Sequence, residues 1–80
     1  MTLLIADDSK LQRVIVKENL KDIYDVAEAS GGQECLDLVE HSAGKIDAVL
    51  LDIVMPGMDG FEVLRRRQES GVFQKIPVIV

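Results

Sequence analysis

Apolar residues come in two arrangements along this chain, short unbroken runs and stretches at helical spacing, and the two alternate. Thr2–Ala6 is a compact aliphatic run closed by Asp7-Asp8, the length of a buried strand. Ser9 then opens a helix: its hydroxyl can cap the first turn, and Gln12, three residues on, completes a capping box. Leu11, Val14 and Ile15 share one face of that helix and Val16, Leu20 and Ile23 another, so it should be covered on two sides. Tyr24–Ala29 is a second strand, with Val26 and Ala27 at its apolar centre. Ser30-Gly31-Gly32 is a turn, and Gln33–Ser42 a helix that packs through Cys35, Leu36 and Val39 until Gly44 ends it. Ala48-Val49-Leu50-Leu51, set between Asp47 and Asp52, has the continuous apolar character of a strand buried on both faces. Met55-Pro56-Gly57-Met58-Asp59-Gly60 is a loop, because a proline and two glycines punctuate it. Phe61–Glu69 follows as a helix with Phe61, Val63 and Leu64 inward, and Ile76–Val80 begins a fourth strand.

The order is β-α-β-α-β-α-β with short connections, which implies an α/β fold: a parallel sheet joined by right-handed crossovers. No repeat or linker divides it, so residues 1–80 form a single domain. With 48% hydrophobic and 29% charged residues the chain is an ordinary globular one. A net charge of −5 argues against a nucleic-acid or anionic-membrane surface and favours a site that attracts cations. No apolar run nears the ~20 residues of a membrane span. Met1 leads into Thr2-Leu3-Leu4-Ile5 without the basic segment of a secretory signal. The single cysteine, Cys35, suits a reducing compartment, and a cytoplasmic location is expected. The chain stays apolar to its last residue, Ile76-Pro77-Val78-Ile79-Val80, and reads as a fragment of something longer.

Chemistry concentrates in the acids. Parallel strands bring their C-terminal ends to one sheet edge, where ligands bind at the point at which strand order reverses. Asp7 and Asp8 follow the first strand and Asp52 the third, so neighbouring strands would make three carboxylates converge. Like charges at that range must protonate, separate or hold a cation, and an all-oxygen site with room for water suits Mg²⁺. The alternative is that these aspartates merely end strands, as aspartate often does in turns.

The paired acids Asp7-Asp8, together with Leu51-Asp52-Ile53-Val54-Met55-Pro56-Gly57-Met58-Asp59-Gly60, resemble the receiver domain of two-component response regulators. The likeness spans Thr2 to Val80, about the first two-thirds of a family member. It implies a three-layer α/β/α, flavodoxin-like, doubly wound parallel sheet of order 2-1-3-4-5, here without the fifth strand and last two helices. It implies that Asp52 is the phosphoacceptor and that Mg²⁺ is held by Asp7, Asp8, Asp52 and the backbone carbonyl of Val54. Pro56, Gly57 and Gly60 would shape the loop. The implied partners are a sensor histidine kinase or phosphotransfer protein upstream and an output domain or effector downstream. No nucleic acid or membrane contact is implied through this domain. The family's hydroxyl residue at the end of the fourth strand, its lysine after the fifth and its aromatic switch residue are not among these residues. Lys75 does not replace that lysine, since it precedes the fourth strand at the opposite sheet edge.

The function so implied is that of a regulatory phosphoacceptor in a phosphorelay, not an enzyme. The alternative is a phosphorylation-incompetent fragment serving as an interaction or dimerisation module, with self-association through the exposed edge of strand four. A Mg²⁺-dependent phosphohydrolase or nucleotidyl transferase fits less well. A haloacid-dehalogenase-like enzyme wants Asp-x-Asp-x-Thr after its first strand where this chain has Asp7-Asp8-Ser9, and Asp52-Ile53-Val54 fails the toprim-like Asp-x-Asp. Arg65-Arg66-Arg67 reads as a solvated helix face, His41 as a surface residue near a helix C-terminus, and Cys35, Met55 and Met58 as packing residues. Ser30-Gly31-Gly32 lacks the spacing of a phosphate loop.

Overall fold

In the computed structural model, which describes residues 1–42 and 44–80, four strands and three helices alternate along the chain. They are β1 (Thr2–Ala6), α1 (Lys10–Leu20), β2 (Asp25–Ala29), α2 (Gly32–His41), β3 (Ala48–Leu51), α3 (Gly60–Arg67) and β4 (Val78–Ile79). The strands form one parallel sheet of order β2-β1-β3-β4. β1 is central because its four residues Leu3–Ala6 are all buried, which only a strand covered on both faces requires. Alternation then sorts them. Leu4 and Ala6, with Val49 and Leu51 of β3, enter the main core, which also takes in Cys35, Leu36 and Val39 of α2 and Val63 of α3. Leu3 and Ile5, also buried, lie outside that cluster on the other side of the sheet, and α1 packs mainly against β2.

α1 is held more lightly than two apolar faces suggested. Val16 and Leu20 are half-buried, none of its residues is fully buried, and Leu11, Val14, Ile15 and the following Ile23 are exposed. The capping box is also only half formed: Ser9 Oγ accepts from the Gln12 amide at 3.3 Å, but the Ser9 amide is taken by Asp7 Oδ1 at 2.9 Å.

Phe61 is a correction. It is 69% exposed: α3 starts one residue earlier than expected, and Gly60, not Phe61, takes the first inward position. Its inward stripe is Gly60, Val63, Leu64 and Arg67, at i, i+3, i+4 and i+7, and Phe61 lies about 100° away from it. Arg67 accordingly differs from its two neighbours. Its guanidinium donates to the Ile76 carbonyl at 2.8 and 3.2 Å and sits 5.9 Å above the Phe73 ring, locking α3 to the segment that leads into β4. That segment holds a short 3₁₀ turn, Phe73–Lys75, which the sequence pattern did not announce; Phe73 within it is fully buried. The fourth strand is correspondingly shorter than expected.

Arg65 and Arg66 behave as solvated helix residues. Both pair with Glu62, and Arg65 also with Glu69. Their hydrogen bonds hold the Glu62 carboxyl down at about 2. A carboxyl depressed on folding contributes stability above its unfolded value and loses it as pH falls through the folded one. The helical signal of α3 should therefore weaken between about pH 4.5 and pH 2, a change that circular dichroism at low salt would register and that added salt would diminish. Burial pushes the Cys35 thiol up to about 12, which leaves it a packing residue with no thiolate chemistry at neutral pH. No helix among the described residues is long and apolar enough to cross a membrane.

Candidate functional site

The register of the central strands builds the site. Ala6 pairs with Ala29 on one side and with Leu51 on the other, so the chain leaves β1 and β3 at the same level. The ladder continues for one more bond on each side: the Asp7 amide donates to the Ala29 carbonyl at 3.0 Å, and the Asp52 amide to the Ala6 carbonyl at 2.9 Å. Asp7, Asp8 and Asp52 thereby meet. One carboxylate oxygen of each lies within 4.8 Å of the others. They line an open cleft of about 630 Å³ with Ser9, Gln12, Leu50, Leu51, Ile53, Ile79 and Val80.

The three acids are not equivalent. Asp7 is half-buried and spends Oδ1 on the Ser9 amide, which leaves Oδ2 free of that bond. Asp52 is half-buried and accepts the Val54 amide on Oδ1 at 3.2 Å, so the loop after β3 folds back onto the carboxylate. Asp8 is exposed and accepts no hydrogen bond among the described residues. Hard, charged oxygen donors in an open, water-accessible cleft form a donor set that fits a small divalent cation completed by water. Val54 is 81% exposed at the rim. Gly57 takes φ +74, a conformation that side chains with a Cβ resist. Gly60 is buried where a Cβ would meet Ile53 Cα at 2.6 Å and the Asp52 carbonyl oxygen at 2.8 Å. Its amide donates to the Ile53 carbonyl at 2.8 Å, pinning the start of α3 to the residue after Asp52. Pro56 is exposed in the loop between them.

The description "Response regulator receiver domain" matches residues 3–80. The chain belongs to this family. The receiver is 35% identical over 79 residues to the response regulator MprA of Mycolicibacterium vanbaalenii, a match covering 98% of this chain and 32% of that protein. It is also 35% identical over 79 residues to the 3′,5′-cyclic-nucleotide phosphodiesterase regA of Dictyostelium discoideum, across 98% of this chain and 10% of that one. Among solved structures, the N-terminal domain of a response regulator receiver protein from Methanoculleus marisnigri superimposes with a TM-score of 0.86 at 37% identity. That match covers 96% of this chain and 62% of the other. The receiver thus spans a tenth to a third of these two curated relatives. The family is one of signalling domains of two-component systems, and the parallel sheet with flanking helices expected from the sequence is the fold observed.

Two residues of this region escaped the sequence reading. Arg13 reaches from α1 to the Asp7 carbonyl at 2.6 Å and to Glu28 of β2 at 3.1 Å. The available signal was its position, three and seven residues before Val16 and Leu20 on the half-buried side of α1. Gly32, taken as part of a turn, instead begins α2 buried against Met58, where a Cβ would lie 2.6 Å from the Met58 carbonyl oxygen.

Proposed function

We propose that this receiver accepts a phosphoryl group on Asp52 from a phosphohistidine of a sensor kinase or phosphotransfer protein. The observation that carries the reading is the meeting of Asp7, Asp8 and Asp52 within 4.8 Å at one sheet edge. An Asp52 carboxylate oxygen forms the new bond to phosphorus as the P–N bond of the donor breaks. The electron pair leaves with the imidazole, which takes up a proton from water. The cleft admits the donor from solvent, and the Val54 amide, already on Oδ1, leaves Asp52 Oδ2 as the attacking atom. Asp7, Asp8, Asp52 and the Val54 carbonyl would hold Mg²⁺, which when bound supplies neutralising charge for the phosphoryl oxygens. Gly57 and Gly60 keep the loop in the shape that presents those groups, with Pro56 between them. The domain passes a conformational signal to an output domain or effector and catalyses no reaction on an external substrate, in a cytoplasmic setting.

The test is intact-mass spectrometry after incubation with a small phosphoramidate, with and without Mg²⁺, for the chain and for Asp52→Asn. A single Mg²⁺-dependent phosphoryl adduct, absent from Asp52→Asn, is expected. A folded chain that takes up no phosphoryl group would overturn the reading. A second reading, an interaction module indifferent to phosphorylation, is favoured by one observation: the exposed apolar residues Leu11, Val14 and Ile15 of α1 and Ile79 and Val80 at the sheet edge. Partner binding or self-association unchanged by Asp52→Ala would support it.

A further inference from the structure

The Arg13 side chain keeps only 13% of its surface accessible, low for a cation close to a rim of acids. Its partners explain the burial. Nε donates to Glu28 Oε1 at 3.1 Å, and a terminal guanidinium nitrogen donates to the Asp7 carbonyl at 2.6 Å. Glu28 is itself fixed: it pairs with Ile5 in the β1–β2 ladder, and its second carboxylate oxygen lies 3.5 Å from Lys17 Nζ. Asp7 is consequently tied at three points. Its amide is held by the Ala29 carbonyl, its Oδ1 by the Ser9 amide, and its carbonyl by Arg13.

The third tie bears on the neighbour. Once the Asp7 carbonyl is held, the plane of the Asp7–Asp8 peptide cannot rotate freely, and that plane fixes the Asp8 N–Cα axis about which the Asp8 Cβ turns. Asp8 has no hydrogen bond of its own among the described residues, so no such bond opposes the repulsion that would turn its carboxylate away from Asp7 and Asp52. We propose that Arg13, oriented by Glu28, is a positioning residue that keeps the Asp7–Asp8 peptide turned so that both carboxylates face the cleft, and thereby sets the affinity of the site for a divalent cation. The proposal rests on the metal-site reading above. An ion pair that merely fastens α1 to β2 would instead alter the stability of the fold and leave the affinity of the folded protein untouched.

The experiment takes Arg13→Gln, Arg13→Lys and Glu28→Gln in the whole chain and measures three quantities. These are Mg²⁺ affinity by calorimetric titration, hydrogen exchange at the Ser9 amide without metal, and the urea midpoint. Partners that orient ligands from behind typically govern affinity by ~10–100-fold, so Arg13→Gln should weaken Mg²⁺ about tenfold. Exchange at the Ser9 amide, which donates to Asp7 Oδ1, should quicken beyond what the change in global stability accounts for. Arg13→Lys keeps the charge without the fork that spans two acceptors and should resemble Arg13→Gln; Glu28→Gln still accepts from Nε and should cost only a few-fold. Full affinity in Arg13→Lys would show that charge alone matters and would overturn the positioning role. So would folded Arg13→Gln with unaltered affinity and unaltered exchange. Should the unsubstituted chain take up no Mg²⁺, the metal reading falls, and the Ser9 exchange rate decides the clamp: no change on Arg13→Gln overturns it.

Discussion

Gly60→Ala should destabilise this domain by about 3 kcal/mol, at the upper end of what one added methyl group does in a packed site. The reason is what the methyl would meet. Ile53 Cα at 2.6 Å and the Asp52 carbonyl oxygen at 2.8 Å are backbone atoms, which cannot swing aside as a side-chain tip can. They also belong to the residues that carry the candidate phosphoacceptor, held there by the Gly60 amide on the Ile53 carbonyl. Relief of the clash therefore displaces Asp52, and Mg²⁺ affinity and phosphoryl uptake should fall together with the urea midpoint. Gly57→Ala gives the contrast. Gly57 has φ +74 but no atom near its absent Cβ, so an alanine there meets strain alone, on the order of 1 kcal/mol. A Gly60→Ala protein as stable as Gly57→Ala would mean that the loop yields, and that the close approach at Gly60 is not what places Asp52.

The same loop marks the limits of what the sequence discloses. β1 and β3 were legible because Leu3–Ala6 and Ala48–Leu51 are unbroken aliphatic runs ended by acids, a pattern that only a strand buried on both faces needs. The acid cluster followed from them, since parallel strands leave their ends at one edge and the Ala6–Leu51 pairing brings those ends level. Residues that take part by what they lack, or against their type, were not legible. Gly60 and Gly32 are inward positions of helices, yet a periodicity built on apolar side chains passes over them, and that omission turned Phe61 inward in the reading of α3. Arg13 and Arg67 occupy half-buried stripes where an arginine reads as surface. Each is admitted because a backbone carbonyl, of Asp7 or of Ile76, accepts from it, and the position of a carbonyl is not written in residue types. The 3₁₀ turn around Phe73 is likewise held by tertiary contacts: Phe73 is buried in the core and lies under the Arg67 guanidinium.

Asp8→Asn should raise the stability of the metal-free domain and abolish the stabilisation that Mg²⁺ brings, so that its effect changes sign with the metal. Three carboxylates with oxygens within 4.8 Å repel one another, and at an exposed site in salt the two pairs that involve Asp8 are together worth on the order of 1 kcal/mol. Asp8 is the acid whose neutralisation isolates this term. Asp7 would lose the strength of its bond to the Ser9 amide and Asp52 that of its bond to the Val54 amide, whereas Asp8 accepts no hydrogen bond among the described residues and is exposed. In a chelator, Asp8→Asn should therefore unfold at higher urea than the parent, with a gain of about 1 kcal/mol that shrinks as salt screens the repulsion. With Mg²⁺ at a hundred times its dissociation constant the parent gains ~2.7 kcal/mol by mass action, and the order reverses. The variant, deprived of a charged ligand, should bind Mg²⁺ roughly a hundredfold more weakly and gain little. Repulsion and the proposed metal affinity would be one property of the cluster seen under two conditions: oxygens held close enough to repel one another are spaced as cation ligands would be. An Asp8→Asn midpoint that falls in chelator would mean that Asp8 is held by attractions the geometry does not contain; one that rises with Mg²⁺ as steeply as the parent's would remove Asp8 from the metal site.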